Sequence, residues 1–199
     1  MRLPVLPSLC LGLSLLLTAC SQPITSAEWQ LDSDASHLGF VSIKANEIAE
    51  VHRFSGLSGS VDADGRAELV IDLATVDTGI AVRDGRMREH FFETAQFPQA
   101  RVTARLDLVA LADMETGDRR PLTLDATLDL HGISAEIDAE IMVTDLGGQH
   151  ILVESRNPVL LHVADFELVE GLATLQEMAS LSSITPVSPV NFSLVFTRG

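Results

Sequence analysis

Residues 122–130 read LTLDATLDL, and their strict alternation of apolar and polar side chains indicates the fold class of this chain. Successive side chains of an extended strand point to opposite faces, so the leucines and Ala126 share one face while the threonines and aspartates share the other. A helix would not separate the same residues in this way. The segment therefore predicts a β-strand with one face in an apolar core and one face in water.

The same alternation recurs along the chain from Trp29 onward, and turn residues separate the alternating runs. Asp64-Gly65, His131-Gly132 and Gly147-Gly148 are typical of short hairpin connections, which make neighbouring strands antiparallel. About eight strands result, each with one apolar face, which favours a closed barrel or a sandwich. The predicted strands cover residues 31–43, 51–61, 67–76, 102–110, 122–130, 135–143, 150–163 and 190–196.

Two segments depart from the alternation and have helical spacing instead. Residues 83–94 (RDGRMREHFFET) place Met87, His90 and Phe91 three to four positions apart among charged residues, and Pro98 ends the region. Residues 171–181 (GLATLQEMASL) carry an apolar stripe of the same period. We predict two short amphipathic helices that lie over the openings or edges of an all-β domain.

The amino terminus has the features of a bacterial export signal. Arg2 precedes an apolar stretch at residues 9–17 that is too short to span a bilayer. The following Leu17-Thr18-Ala19-Cys20 resembles a lipobox, in which the cysteine is acylated, with palmitate as a typical acyl chain, before cleavage. The alternative is an ordinary secretory signal cleaved after Ala19.

The lipobox predicts a signal peptide at residues 1–19, a tether at residues 20–27 and a single folded domain at residues 28–199. Cys20 is then the lipid attachment site of a lipoprotein in the bacterial cell envelope that faces the periplasm. Ser21, which is not an aspartate, favours the outer membrane. Cleavage also removes Cys10, so the mature chain has no partner for a disulfide.

The composition argues against nucleic acid as a partner. The chain has 28 Asp and Glu against 13 Lys and Arg, a formal net charge of −15. Such a surface repels phosphate backbones and anionic lipid headgroups. Membrane attachment would therefore depend on the acyl chains of Cys20.

The sequence shows no reactive centre that would predict an enzyme, and we expect no cofactor. Its six histidines are at least twelve positions apart, so helical zinc spacings are absent, although strand pairing could still form a metal site. Ser58 lies near a glycine pattern like the nucleophile elbow, but the serine is one position out of register and the surroundings are antiparallel. Arg83-Asp84 is either a binding pair or an ion pair that anchors the start of a helix.

Several motifs occur in the order known from one protein family. They are residues 31–40 (LDSDASHLGF), residues 54–59 (FSGLSG), Val76-Asp77-Thr78-Gly79 with Arg83-Asp84, Phe91-Phe92-Glu93, Phe97-Pro98, and residues 128–132 (LDLHG). Together they span nearly the whole mature domain, and on them the chain resembles the YceI-like family. Ala35 is a departure, because the family pattern has histidine there.

The resemblance implies an extended eight-stranded antiparallel β-barrel of lipocalin-like shape. It also implies a non-catalytic function, since characterised relatives bind a long isoprenoid chain, such as a polyprenyl or quinone-like tail, along the barrel interior. An eight-stranded barrel is just wide enough to be filled by side chains or to hold one slender ligand. The departure at Ala35 puts the headgroup preference of this chain in question.

Candidate ligand-binding residues come from the apolar strand faces and the two helices. They are Phe40, Phe54, Leu69, Ile71, Met87, Phe91, Phe92, Leu106, Leu128, Ile141 and Met178. Each could equally be an ordinary core residue, and we expect fewer than half to contact a ligand. The alternatives are a solid-cored envelope scaffold or stress-related protein with a protein partner and no lipid ligand, and an enzyme acting on a hydrophobic substrate. The sequence leaves the oligomeric state open, including a homodimer.

Overall fold

The structure, a computed structural model, describes residues 28–198, and these form one antiparallel sheet with two short helices. The sheet has eleven strand segments. They are Trp29–Lys44 (β1), Ile48–Phe54 (β2), Leu57–Val61 (β3), Arg66–Asp72 (β4), Val76–Asp77 (β5), Gln99–Arg105 (β6), Arg119–Leu130 (β7), Ile133–Gly147 (β8), His150–Ser155 (β9), Val159–His162 (β10) and Val187–Arg198 (β11).

The sheet closes on itself as an eight-stranded barrel. The closed ring runs β1, β3, β4, β6, β7, β8, β9, β11 and returns to β1, because β11 pairs with β1 along most of its length. The other three segments extend members of this ring past short interruptions: β2 continues into β3 through Ser55-Gly56, β5 follows β4, and β10 follows β9. Eight bent strands thus account for all eleven segments between residues 28 and 198.

The predicted strands match these eight strands one to one, which confirms the all-β barrel. The largest error in a predicted strand boundary is at residues 102–110, which do not form a continuous strand because β6 ends at Arg105. Asp107 accepts a hydrogen bond from the Val109 backbone N–H at 3.0 Å and starts a 3-10 helix over Leu108–Leu111. This turn buries Leu111 and leaves Val109 exposed.

The hairpin turns follow the glycine signals closely. His131-Gly132 forms the two-residue β7–β8 turn, with φ of +55° and +79° respectively. Two successive positive φ values match the twist of an antiparallel pair. At the next hairpin the turn residues are Gly148 and Gln149, one position later than predicted, and Gly147 ends β8.

Both predicted helices exist, and both begin two residues earlier than predicted. The first is Ala81–Arg86 (α1), which continues as a π-helical turn over Met87–Phe91. It ends before residue 94, because Glu93 takes a left-handed conformation with φ of +47°. The second is Val169–Met178 (α2), and Ser180, with φ of +51°, follows its end.

Both helices lie at one end of the barrel, together with the β1–β2 and β7–β8 turns. The opposite end holds the start of β1, the end of β11 and the Leu108–Leu111 turn. Neither described helix has the length and apolar character needed to span a bilayer. The predicted signal peptide, the tether and Cys20 lie outside the described residues.

Candidate ligand-binding cavity

The inward faces of the strands enclose a cavity of about 660 Å³. Its wall is mostly apolar, because the period-two alternation sends Leu, Ile, Val, Ala and Phe side chains inward from every strand of the ring. All eleven predicted site residues lie on this wall: Phe40, Phe54, Leu69, Ile71, Met87, Phe91, Phe92, Leu106, Leu128, Ile141 and Met178. The structure therefore brings them together around one space. Their contact with a ligand stays a prediction.

The cavity is closed at one end and open at the other. At the end where β1 starts, the lining residues Trp29 and Leu111 are only 6% and 3% exposed. At the helical end, Ile80, Val82 and Met178 also line the cavity, yet they are 46%, 62% and 38% exposed. The apolar wall thus continues onto the surface beside α1 and the end of α2. We call these the closed end and the open end.

Four phenylalanines form one side of the wall near the open end. Phe40 stacks on Phe54 with ring centroids 5.4 Å apart, and Phe54 contacts Phe92 edge-on at 5.7 Å. Phe91 meets Phe92 at 4.8 Å. The π-helical turn makes this possible, since its Phe92 N–H donates to the Met87 carbonyl five residues earlier. Strand and helix thus share one aromatic surface.

A polar cluster follows this aromatic surface toward the open end. Leu38 opposes Phe54 across the β1–β2 pair, and Phe40 opposes His52. The next inward pair in the same register is Ser42 opposite Glu50, and Lys44 ends the strand. Ser42, Lys44, Glu50 and His52, together with Arg83 of α1, all line the cavity. We call these five residues the polar cluster.

Glu50 is the centre of the charges in the polar cluster. Its Oε2 atom lies 2.7 Å from Lys44 Nζ and 2.8 Å from Arg83 Nη1. The hydrogen bond from Lys44, assisted by the positive charge and hydrogen bond of Arg83, holds the pKa of Glu50 below its ordinary value although partial burial opposes this. Glu50 is therefore ionised at neutral pH and partners both cations.

His52 is only 3% exposed, and its Nε2 atom lies 2.8 Å from the hydroxyl of Ser42. Burial, reinforced by the nearby charge of Arg83, lowers its pKa below the ordinary value. Its Nδ1 atom is buried without a hydrogen-bond partner among the described residues. His52 is thus a neutral ring at neutral pH with one hydrogen bond. The sequence pattern does not predict this serine–histidine pair.

Arg83 and Asp84 anchor the start of the helix, but through Thr78. Asp84 Oδ1 accepts from the Thr78 backbone N–H at 2.9 Å and from its hydroxyl at 2.5 Å. Arg83 donates to the Thr78 carbonyl and hydroxyl and pairs with Glu50. The predicted ion pair between the two neighbours is therefore replaced by a shared partner, and Arg83 also reaches the cavity.

Two other positions singled out by the sequence lie away from the cavity. Ala35 is exposed, in an irregular part of β1 between Asp32 and His37 where the register with β11 shifts. Ser58 is exposed within the regular strand β3, so it is not on a nucleophile elbow. Among residues 28–198, no three His, Cys, Asp or Glu side chains are grouped to hold a metal ion.

Comparison with known proteins places this barrel in a family. The model of the YceI-like domain matches residues 29–196, which is most of the chain. This chain belongs to the YceI-like family. No curated protein matches it.

Solved structures agree with the family and the fold. This YceI-like chain is 42% identical to a polyisoprenoid binding domain from Saccharophagus degradans, with a TM-score of 0.85 over 87% of this chain and 100% of that domain. BcnA of Burkholderia cenocepacia is 17% identical with a TM-score of 0.63, over 83% of this chain and 98% of that one. The YCEI protein of Campylobacter jejuni is 20% identical with a TM-score of 0.50, over 74% and 84%. The latter two show the fold alone.

Proposed function

We propose that this protein binds one long isoprenoid chain, such as a polyprenyl or quinone-like tail, along its cavity. The observation that carries the proposal is an apolar cavity of about 660 Å³ that is closed at one end and open at the other. This volume lies within the range of small-molecule sites, about 300–1,000 Å³. The 42% identical relative from Saccharophagus degradans, a polyisoprenoid binding domain, supports the same ligand class.

The shape of the cavity favours a slender ligand. Strand β1 has 16 residues. At about 3.3 Å per residue and a strand tilt of about 40°, such a wall extends about 40 Å along the barrel axis. Burial of about 400 Å² of apolar chain would contribute on the order of 10 kcal/mol before the cost of ordering the ligand. Hydrophobic burial alone is thus large enough to hold the tail.

We propose a binding protein without catalysis. The Ser42–His52 pair resembles part of a hydrolase site, but a triad needs a carboxylate on Nδ1 of the histidine, and here Nδ1 has no partner among the described residues. Ser42 also lies within the regular strand β1, whereas nucleophile elbows lie on sharp strand-to-helix turns. A solid-cored scaffold, the other alternative, is disfavoured by the cavity itself.

The proposed location is the periplasmic face of a bacterial envelope membrane, with the protein held by acylated Cys20. The lipobox-like Leu17-Thr18-Ala19-Cys20 supports this, and Ser21 favours the outer membrane. Anchoring keeps the protein near the membrane that supplies an apolar ligand, which raises the effective ligand concentration.

Organic extraction of the protein purified from its native membrane, followed by mass spectrometry, tests the proposed function. We expect a prenyl-chain lipid at near one equivalent per protein, well above the amount that copurifies with an unrelated acylated protein handled identically. Equal extracts from both preparations, with no uptake of an added prenyl probe, would leave the scaffold as the better explanation.

A further inference from the structure

Glu93 follows the π-helical turn at a position that does not favour a glutamate. With φ of +47° it lies in the left-handed region just after the end of the helix, where glycine is the favoured residue because a Cβ is strained there. Its carboxylate also lies at the carboxyl end of the helix, where the helix dipole disfavours a negative charge. The local structure therefore does not account for this glutamate.

His131 occupies a similar position in the β7–β8 hairpin. It has φ of +55° and is the first residue of the two-residue turn that it forms with Gly132. Such turns strongly favour asparagine before the glycine, because both central residues need a positive φ. The histidine is thus not the residue that the turn itself selects.

The side chains of these two residues contact each other. His131 Nε2 lies 2.7 Å from Glu93 Oε2, and the imidazole N–H donates because a carboxylate only accepts. The His131 side chain is 14% exposed, and its ring lies against that of Phe97 with the centroids 4.4 Å apart. A Cβ on Gly132 would lie 2.9 Å from the same phenylalanine ring. This contact joins the end of the π-helical turn to the β7–β8 hairpin.

The π-helical turn that is held in this way carries part of the cavity wall. Phe91 and Phe92 line the cavity from the turn, and Leu130 lines it from the end of β7, next to His131. Separation of the turn from the hairpin would part these two pieces of the wall and widen the open end. The start of α1 has its own anchor in the contacts with Thr78 described above.

We propose that Glu93 and His131 form a latch, which holds the π-helical turn against the β7–β8 hairpin and sets the rate at which a ligand enters and leaves the cavity. Strained backbone persists where the surrounding structure needs the side chain that it carries, and here two such residues make one contact. Neither residue of the latch lines the cavity, so breaking the latch should change the rates of ligand exchange and leave the affinity unchanged. This inference rests on the proposed function, since it concerns the ligand that the cavity holds.

Two variants break the latch and improve the local backbone at the same time. Glu93→Gly places glycine just after the helix, and His131→Asn gives the turn its favoured Asn-Gly sequence. We expect both to keep the melting temperature close to that of the wild type, because the relieved backbone offsets the lost hydrogen bond. Gln149→Gly is the matched control, since Gln149 also has a positive φ, +70°, but lies in the β8–β9 turn at the closed end.

Hydrogen exchange of the Phe92 backbone N–H in the ligand-free protein, measured by NMR, tests the latch itself. This N–H donates to the Met87 carbonyl at 2.8 Å and loses protection when the end of the turn opens. We expect exchange about threefold to tenfold faster in Glu93→Gly and in His131→Asn, as for one lost hydrogen bond, and no change in Gln149→Gly. The double variant should be no faster than either single variant, because both changes break the same contact.

The opposite result at Phe92 is equally clear. Without a latch, glycine after the helix would only stabilise the helix end and slow this exchange in Glu93→Gly, while His131→Asn would leave it unchanged. Phe92 exchange that is not faster than in the wild type in either variant would therefore overturn the latch.

Stopped-flow mixing with a fluorescent prenyl probe tests the control of ligand exchange. The association and dissociation rates should both rise about threefold to tenfold in the two latch variants at an unchanged Kd, and neither rate should change in Gln149→Gly. Faster Phe92 exchange with unchanged probe rates would overturn the control of ligand exchange by the latch. Failure of the probe to bind the wild type would instead overturn the proposed function, and the exchange at Phe92 would still decide whether the latch exists.

Discussion

Buried His52 couples the stability of the protein to pH. Burial and the Arg83 charge lower its pKa, while Glu50 and Asp84 act in the opposite direction and Lys44 adds to the lowering. In the unfolded chain a histidine titrates near pH 6.5. As the pH falls below about 6.5, the unfolded state therefore binds a proton that the folded state resists, and the free energy of unfolding falls by up to about 1.4 kcal/mol per pH unit.

The variant His52→Gln keeps a donor toward Ser42 and removes this titration. We expect its free energy of unfolding, measured by urea denaturation between pH 7.5 and pH 5, to decline less steeply than that of the wild type. Parallel curves for the two proteins would show that His52 takes up protons equally in both states, contrary to the expectation.

At single positions, the sequence predicts the apolar lining of the cavity better than it predicts the polar cluster. All eleven candidate residues line the cavity: Met87, Phe91, Phe92 and Met178 do so from the two helical segments, and the others do so because alternation fixes which face of a strand is buried. Ser42, Glu50 and His52 could have been found by the same alternation, since they share the phase of Phe40 and Phe54. The pairing of Glu50 with Arg83 could not, because Arg83 lies 33 positions from Glu50 and meets it only through the tertiary fold.

At the scale of elements, the two helices form a cover at the open end, in which α1 with its π-helical turn packs against α2. Gly171 of α2 packs directly on the π-helical turn: a Cβ at this position would lie 2.7 Å from the His90 carbonyl oxygen and 3.1 Å from Phe91 Cα. Arg86 of α1 donates to the Met178 carbonyl at 3.1 Å beside the open end. The cover thus depends on close backbone approach as well as on apolar contact.

The variant Gly171→Ala should push α2 away from the turn. We expect it to lower the free energy of unfolding by about 1–3 kcal/mol, as overpacking typically does, and to speed the release of a bound prenyl probe. Gly85→Ala in α1 is the matched control, since its Cβ would approach only Arg88 Nη2, at 4.0 Å. That change should be neutral or stabilise by up to about 1 kcal/mol. Equal stability of the two variants would mean that α2 does not need this contact.

The boundaries of the strands and helices are harder to predict from sequence patterns than the elements themselves. The eight strands follow from alternation, but residues 106–110 continue the alternation while the chain has already turned away from the sheet. Capping by Asp107 and burial of Leu111 decide that local structure, and the burial depends on the closed end that the turn itself forms. The helix starts differ from the prediction because Ile80 and Leu168, which precede α1 and α2, make no side-chain cap that the sequence could signal.

At the scale of the whole molecule, the barrel has two different ends, one closed and one open. Strand β1 begins at the closed end, so the predicted tether of residues 20–27 would join the barrel there. Eight extended residues reach at most about 28 Å. Acylation of Cys20 would therefore hold the closed end near the membrane, with the open end pointing away from it.

This orientation can be measured in proteoliposomes that hold the acylated protein. A fluorophore on Val82→Cys, at the open end, should be quenched less by headgroup quenchers than one on Ala63→Cys, in the β3–β4 turn at the closed end. The chain has only two natural cysteines, Cys10 and Cys20, so each variant carries one free thiol after acylation. Stronger quenching at Val82→Cys would reverse the proposed orientation.

The anchor has its own test. Cys20→Ser should release a folded protein into the periplasm that still binds a prenyl probe, because the described lining of the cavity comes from residues 29–196, beyond the predicted tether. Fractionation of cells that express the variant measures this. Retention of the variant in the membrane fraction would contradict anchoring through Cys20.

The central claim, that a long apolar chain lies inside the barrel, is tested most directly by titration with a radiolabelled long-chain prenol. Leu128→Trp fills the cavity from a buried position on β7, whereas Thr123→Trp places the same side chain on the exposed face of the same strand. We predict one bound prenol per protein for the wild type and for Thr123→Trp, and none for Leu128→Trp at an unchanged melting temperature. Undiminished binding by a folded Leu128→Trp protein would contradict the account.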